Sequence, residues 1–175
     1  MQLLDIRQTL VHHPHRKYGV RLISAITHIA VHHSATVTGS AEAYAHYHVE
    51  HHRWPGIGYH YVVERDGRIK KCNSLSTVSY HVGPSNRIAI GICCTGDYDQ
   101  VSPPAIQLKA AAELIAELMR ALPQLTVSNI WGHTQFPGYA KKSCPGKRYP
   151  LPRLRELVTA QLHAHKLILS QKKSG

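Results

Sequence analysis

Apolar positions along this chain fall into short β-rich runs separated by helical stripes. Ile26–His32 (Ile-Thr-His-Ile-Ala-Val-His) reads as a first buried strand, of the kind found in sheets covered on both faces. Ser40, with Glu42 in the first turn, caps a helix that runs to about His52. Its periodicity puts Ala41, Tyr44, Ala45 and His48 on one face, and Trp54-Pro55-Gly56 ends it. Gly58–Arg65 and Arg68–Cys72 are strands around Asp66-Gly67, a two-residue hairpin signal. On the first of them Tyr59, Tyr61 and Val63 share one face, and His60 and Val62 the other.

Residues 73–86 form a polar loop containing His81, and Ile88–Cys94 is continuously apolar, as a central strand should be. Ser102-Pro103 opens what reads as the longest helix, with Ser as cap and a buried stripe of Ile106, Ala110, Leu114, Leu118 and Met119. It ends at Leu122-Pro123. Val127–Trp131 is a last strand, which delivers His133 at its end. A final helix from Leu151-Pro152 carries Leu154, Leu157, Val158 and Leu162 on one side. The order strand, helix, hairpin, strand, helix, strand, helix predicts an α/β domain with a mixed sheet. Residues 1–22, weakly periodic apart from a short helical stretch over Asp5–Val11, read as a solvated N-terminal arm. Residues 23–168 form the domain, and 169–175 a basic, frayed tail.

Length and composition narrow the class. At 175 residues the chain holds one domain with a real core, and 43% hydrophobic residues exclude a disordered chain. No apolar run approaches the ~20 residues of a membrane span, so no membrane partner is expected. Met1–Arg7 lacks the basic-then-apolar order of a signal peptide, which predicts synthesis in the cytoplasm. Adjacent Cys93 and Cys94 in an apolar run suit buried thiols better than a disulfide framework. A net charge of +11 points to a polyanionic partner: nucleic acid, an anionic membrane or an anionic wall polymer. The basic residues are scattered and no nucleic-acid module is present, so nucleic acid is not expected. The plainer reading of the charge is solubility.

The chemistry concentrates in Trp131–Gly146. His133 and Cys144 stand at the two ends of a Pro- and Gly-rich loop, and imidazole and thiolate are ligands that zinc prefers. The ten residues between them are not a zinc-finger spacing, so further ligands must come from elsewhere. With 15 histidines in the chain, a loop holding an unrelated His and Cys is an equal reading of this stretch alone. His32 and His33 end the first strand. Neighbours on a strand point to opposite faces, so only one of them can aim at a shared ion. His12, His13 and His15 around Pro14 belong to the arm, and His46, His48, His51 and His52 read mostly as a polar helix face. Three protein ligands with one open position make a catalytic zinc site, which acidifies water and polarises a carbonyl. That predicts amide or ester hydrolysis. The motifs of helical zinc proteases, serine-elbow hydrolases, phosphate loops and dinucleotide folds are all missing from the sequence.

Five stretches carry a further signal: Val31-His32-His33-Ser34-Ala35-Thr36, Trp54-Pro55-Gly56-Ile57-Gly58-Tyr59-His60-Tyr61, Asn86–Ile92, Gly132-His133 and Lys142-Ser143-Cys144-Pro145-Gly146. Together and in this order they resemble the zinc-dependent N-acetylmuramoyl-L-alanine amidases: phage endolysin amidases and the related peptidoglycan recognition proteins. The resemblance covers about Ile26–Leu157. It implies a single domain with a central mixed sheet flanked by helices and a groove holding one Zn2+ per chain. It implies His32, His133 and Cys144 as ligands, Tyr59 near the reacting water and Lys142 over the scissile carbonyl. It places His60, His81 and Asn86 along the substrate groove, His81 with no definite role. Asn129, Thr134 or backbone carbonyls are candidates for orienting the imidazoles.

The resulting expectation is a monomeric amidase that cuts the lactyl–L-alanine amide of peptidoglycan and reaches the wall after release. Three other readings stay open: a non-catalytic peptidoglycan-binding module, a basic nucleic-acid-binding protein, and an amidase of cytoplasmic wall recycling.

Overall fold

The structure, a computed structural model, describes residues 2–171. Its strands are β1 (Leu3–Asp5), β2 (Gly19–Val20), β3 (His28–His33), β4 (Tyr61–Val63), β5 (Ile69–Lys71), β6 (Thr77–Val78), β7 (Ala89–Cys94) and β8 (Ile130–Gly132). Its helices are α1 (Ala41–Glu50), α2 (Ala105–Ala121) and α3 (Leu151–Gln171). Six strands form one sheet in the order β1-β5-β4-β7-β3-β8, and β2 pairs with β6 apart from it. Only β4–β5, the expected hairpin, is antiparallel in the large sheet, so the sheet is mixed.

Central β3 and β7 are almost wholly buried, as their unbroken apolar runs require. Ile29, Val31, Ile90, Ile92 and Val63 face Leu114, Ile115 and Leu118 of α2 and Leu154 and Val158 of α3. The opposite face carries Val62 and Cys93 against Ala41 and Ala45 of α1. Those two alanines have no exposure, and their small size lets α1 approach the sheet closely. Ser40 caps α1 by accepting the N–H of Ala43. Lys70 on β5 reaches Glu42 of α1 at 2.7 Å and Glu64 at 2.9 Å, tying helix to hairpin. All four cysteines are free thiols, with Cys93 and Cys94 buried as expected. Among the described residues, no helix is long and apolar enough to cross a membrane.

Several expectations need correction. α2 begins at Ala105, not at Ser102, and has no side-chain cap. Pro104 disfavours helical geometry at Pro103, which holds the preceding turn out of the helix. α3, at 21 residues, is longer than α2 at 17. Ile106 is 58% exposed; the buried face turns toward Leu108 and Ile115 and includes the fully buried Gln107. The Gln107 amide donates to the carbonyls of Val63 and Thr95, so its polarity is satisfied inside. Val127–Asn129 is a 3-10 turn capped by Thr126, and β8 starts only at Ile130.

The largest change concerns residues 2–22, parts of which pair with strands and pack while many side chains stay exposed. β1 extends the sheet beside β5, Leu10 is buried among α1-side residues, and β2 pairs with β6 inside the expected polar loop. Arg21 is 6% exposed and donates to the carbonyls of Leu75, Asn86 and Ala89. Strands of two and three residues are too short to show a period of two. At the other end, α3 runs through Gln171, so the first residues of the tail expected over 169–175 are helical, and the rest of it, from Lys172 onward, lies outside the described residues.

A His-His-Cys centre in an aromatic groove

Two adjacent parallel strands bring the chemistry to one edge. β3 ends with His32 and His33, and β8 ends with Gly132 directly before His133. Only glycine fits at position 132, because a Cβ there would lie 2.8 Å from Cδ of Pro145. The missing side chain lets the Cys144–Pro145 segment close over the strand end. The loop is tied down at three points. Thr134 N–H donates to the Cys144 carbonyl at 3.1 Å. The Asp99 carboxylate accepts from Ser143 Oγ at 2.6 Å and from Lys147 N–H at 2.9 Å.

The ligand-type atoms of His32, His133 and Cys144 lie within 4.8 Å of one another. Cys144 Sγ is 3.6 Å from Nδ1 of His32, and the rings of His32 and His133 are 4.6 Å apart. His33, the other member of the pair, turns away. Its Nδ1 accepts the N–H of Tyr98 at 3.1 Å, and its ring stacks on Tyr98. Burial holds His32 well below the usual histidine range. Burial, then the charge of Lys142 and then His33, lower His133 to about 4. Burial pushes the Cys144 thiol up to about 12. Nε2 of His133 is buried without a hydrogen-bond partner. Two neutral imidazoles and a thiol, converging with an orphaned buried nitrogen among them, are a donor set that fits a borderline-soft divalent cation. Binding would require Cys144 to give up its proton.

The three residues open into a cavity of about 750 Å3 that Tyr59, His81 and Lys142 also line. Tyr59 sits between the rings of His32 (5.4 Å) and His48 (5.5 Å), and burial drives its phenol well above the ordinary range. Lys142 is exposed on the rim. His81 lies behind His32, its Nδ1 3.1 Å from Nε2 of His32. His60 and Asn86, expected along the groove, do not line it. His60 is fully buried: Gly91 N–H donates to its Nδ1, and its Nε2 faces the Thr77 carbonyl and Arg21. Asn86 instead braces the turn, its Oδ1 accepting the N–H groups of His81 and Val82. Asn129, a candidate for orienting the imidazoles, accepts from Thr126 in a cap.

One groove residue goes beyond the sequence expectations. His48, on the Ala41/Ala45 face by periodicity but one of four histidines read mostly as a polar face, is buried; its Nδ1 accepts the N–H of Gly58 at 3.1 Å, and its ring lies 4.8 Å from Trp54. The signal for it is its place on the Ala41/Ala45 face of α1. Burial lowers His48 to about 4, and burial with the charge of Arg21 lowers His60 to about 3. Both are depressed below the unfolded value of about 6.5. The unfolded chain therefore binds more protons below that pH, and stability falls as pH drops from about 6.5 through 4 toward 3. Thermal midpoints across this range should decline steeply. His48→Asn, which keeps an acceptor and removes the titration, should flatten the decline between pH 6.5 and 4. An unchanged slope would show that His48 does not contribute to it.

The comparisons with known proteins agree with this geometry. A family profile described as N-acetylmuramoyl-L-alanine amidase matches residues 23–147. Peptidoglycan recognition protein 1 of Bos indicus is 33% identical over 109 residues, covering 57% of each chain. An endolysin of Klebsiella phage KP32 is 29% identical over 97 residues, covering 53% of this chain and 60% of its own. The matches thus span less than two thirds of these relatives' own length. Among solved structures, the Ph2119 endolysin from a Thermus scotoductus bacteriophage superposes with a TM-score of 0.75 at 25% identity. That match covers 90% of this chain and 99% of the endolysin. Fold, strand-end histidines and family profile lead to one conclusion: this chain belongs to the N-acetylmuramoyl-L-alanine amidase family.

Proposed function

We propose that this protein is a zinc-dependent N-acetylmuramoyl-L-alanine amidase that hydrolyses the amide between the muramoyl lactyl group and L-alanine of peptidoglycan. The observation that carries the reading is the convergence of His32, His133 and Cys144 at the floor of an open groove. A bound zinc ion supplies Lewis acidity, polarising a carbonyl and acidifying water. The chain's own residues do the rest. His32 and His133 stay neutral at working pH and present lone pairs, while Asp99 and Thr134 hold the Cys144 loop in place. Tyr59 keeps its proton, because burial disfavours its phenolate, and so has a hydroxyl hydrogen to offer beside the His32 ring. Lys142 places a positive charge at the rim, where negative charge grows on the carbonyl oxygen. Aromatic groove walls from Tyr44, Trp54 and Tyr80 exclude water around the substrate. The protein acts as a monomer on the wall, as a phage-type endolysin does.

A non-catalytic peptidoglycan-binding module is the second reading, favoured by the likeness to a peptidoglycan recognition protein. Incubation with purified sacculi separates the two: the amidase reading requires release of new peptide amino termini, and binding without release supports the module.

The net charge of +11 also has a consequence for wall affinity. Phosphate- or carboxylate-bearing polymers attract this surface over a screening length of ~8–10 Å at physiological salt. Co-sedimentation with purified walls should therefore weaken as salt rises. Salt-independent binding would move the affinity into the groove.

A further inference from the structure

We infer that His81 is a positioning residue of the metal centre: its Nδ1 accepts the Nε2–H of His32 and so keeps His32 Nδ1 turned toward Cys144. The inference rests on the zinc reading of the site. Its basis is the placement of His32 between two partners, with Nδ1 3.6 Å from Cys144 Sγ and Nε2 3.1 Å from His81 Nδ1. The two rings meet edge-on, 86° apart. A ligating imidazole needs its other nitrogen protonated and hydrogen-bonded, most often to a carboxylate, carbonyl or water. Here the available acceptor is a second imidazole. An imidazole nitrogen accepts only when it carries no proton, which places the His81 proton on Nε2, a buried atom with no hydrogen-bond partner in this structure.

The fold prepares the seat for that ring. A Cβ on Gly91 would lie 2.8–2.9 Å from three atoms of the His81 ring, so a glycine in the central strand makes the berth. Asn86 fixes the backbone on the other side by accepting the N–H groups of His81 and Val82. His60 closes the back, its ring 5.8 Å away, held in turn by Gly91. Asn86 and His60 thus act on the centre through His81, without reaching the groove. The neighbouring alternatives have other duties: Asn129 sits in its cap, and Thr134 N–H is spent on the Cys144 carbonyl.

The test compares zinc affinity, by chelator competition at fixed pH, in wild type, His81→Leu, His81→Asn and Gly91→Ala. Each protein is also loaded with cobalt for its visible spectrum, and its fold is checked by circular dichroism. Loss of such an orienting partner typically costs ~10–100-fold in metal affinity. His81→Leu and Gly91→Ala should show that loss with an altered cobalt spectrum. His81→Asn, which keeps an acceptor near the Nδ1 position, should recover most of it. Nitrogen-15 NMR of zinc-loaded wild type should show coupling across an N–H···N bond between His32 Nε2 and His81 Nδ1. Wild-type affinity and spectrum in a folded His81→Leu would overturn the inference and leave the zinc reading standing. If His81→Leu does not fold, absence of the N–H···N coupling in wild type overturns it. If wild type itself takes up no zinc, both fall together.

Discussion

Replacing His32 with alanine should strip the metal from the protein, whereas His33→Ala should leave it in place. The two residues are adjacent and chemically identical, so the contrast isolates geometry. His32 is buried against Cys144 and His133. His33 spends its Nδ1 on the Tyr98 amide, and its ring stacks on Tyr98. Metal analysis after gel filtration should give about one zinc per chain for wild type and His33→Ala, and close to none for His32→Ala. Lytic turnover should follow the metal, falling to background in His32→Ala. His33→Ala should lose only the stability of one hydrogen bond, ~0.5–1.5 kcal/mol. The reverse pattern would mean that the pair is assigned the wrong way round.

The second large effect is on turnover without loss of metal. Tyr59→Phe and Lys142→Ala remove no proposed ligand, so zinc content and fold should stay intact. Both groups act on charge that develops in the transition state, so kcat should fall more than substrate affinity. Removing one oxyanion partner typically costs ~10²–10³ in rate. Loss of a proton-donating group costs ~10²–10⁴. Lys141→Ala is the control for Lys142, since both lysines are exposed on the same loop but only Lys142 lines the groove. If Tyr59 merely packs between His32 and His48, phenylalanine will serve as well. Near-normal turnover in both variants would leave the metal and its ligands as the whole machinery.

Strong local signals carry most of the architecture. β3 and β7 are legible because they are continuously apolar, the hairpin because of Asp66-Gly67, and α1 because Ser40 caps it. What local pattern does not convey is pairing over long distances. β1 and β2 are too short for periodicity, and they exist because β5 and β6 offer edges to them. Arg21 looks like an ordinary surface cation in the sequence, yet three carbonyls and His60 surround it. The centre itself divides in the same way. His133 and Cys144 stand out as ligand types at the two ends of one Pro- and Gly-rich loop, not by spacing, and choosing His32 over His33 needs the family resemblance. His60 and Asn86, expected along the groove, stand behind it: His60 precedes β4 and Asn86 sits in the 3-10 turn Gly83–Arg87, where no strand alternation sets the direction of a side chain. His48 is hidden by its neighbours, because three other histidines nearby make a polar face the simpler reading.

Mass spectrometry of purified peptidoglycan, digested with and without a chelator, reads both the bond that is cut and whether a metal is needed to cut it. Stem peptides with free L-alanine amino termini and glycan strands with free lactyl carboxylates are the expected products. The chelator should abolish both products, and added zinc should restore them. Products with new reducing sugar ends, unchanged wall that merely holds the protein, or cleavage indifferent to the chelator would contradict a zinc-dependent amidase.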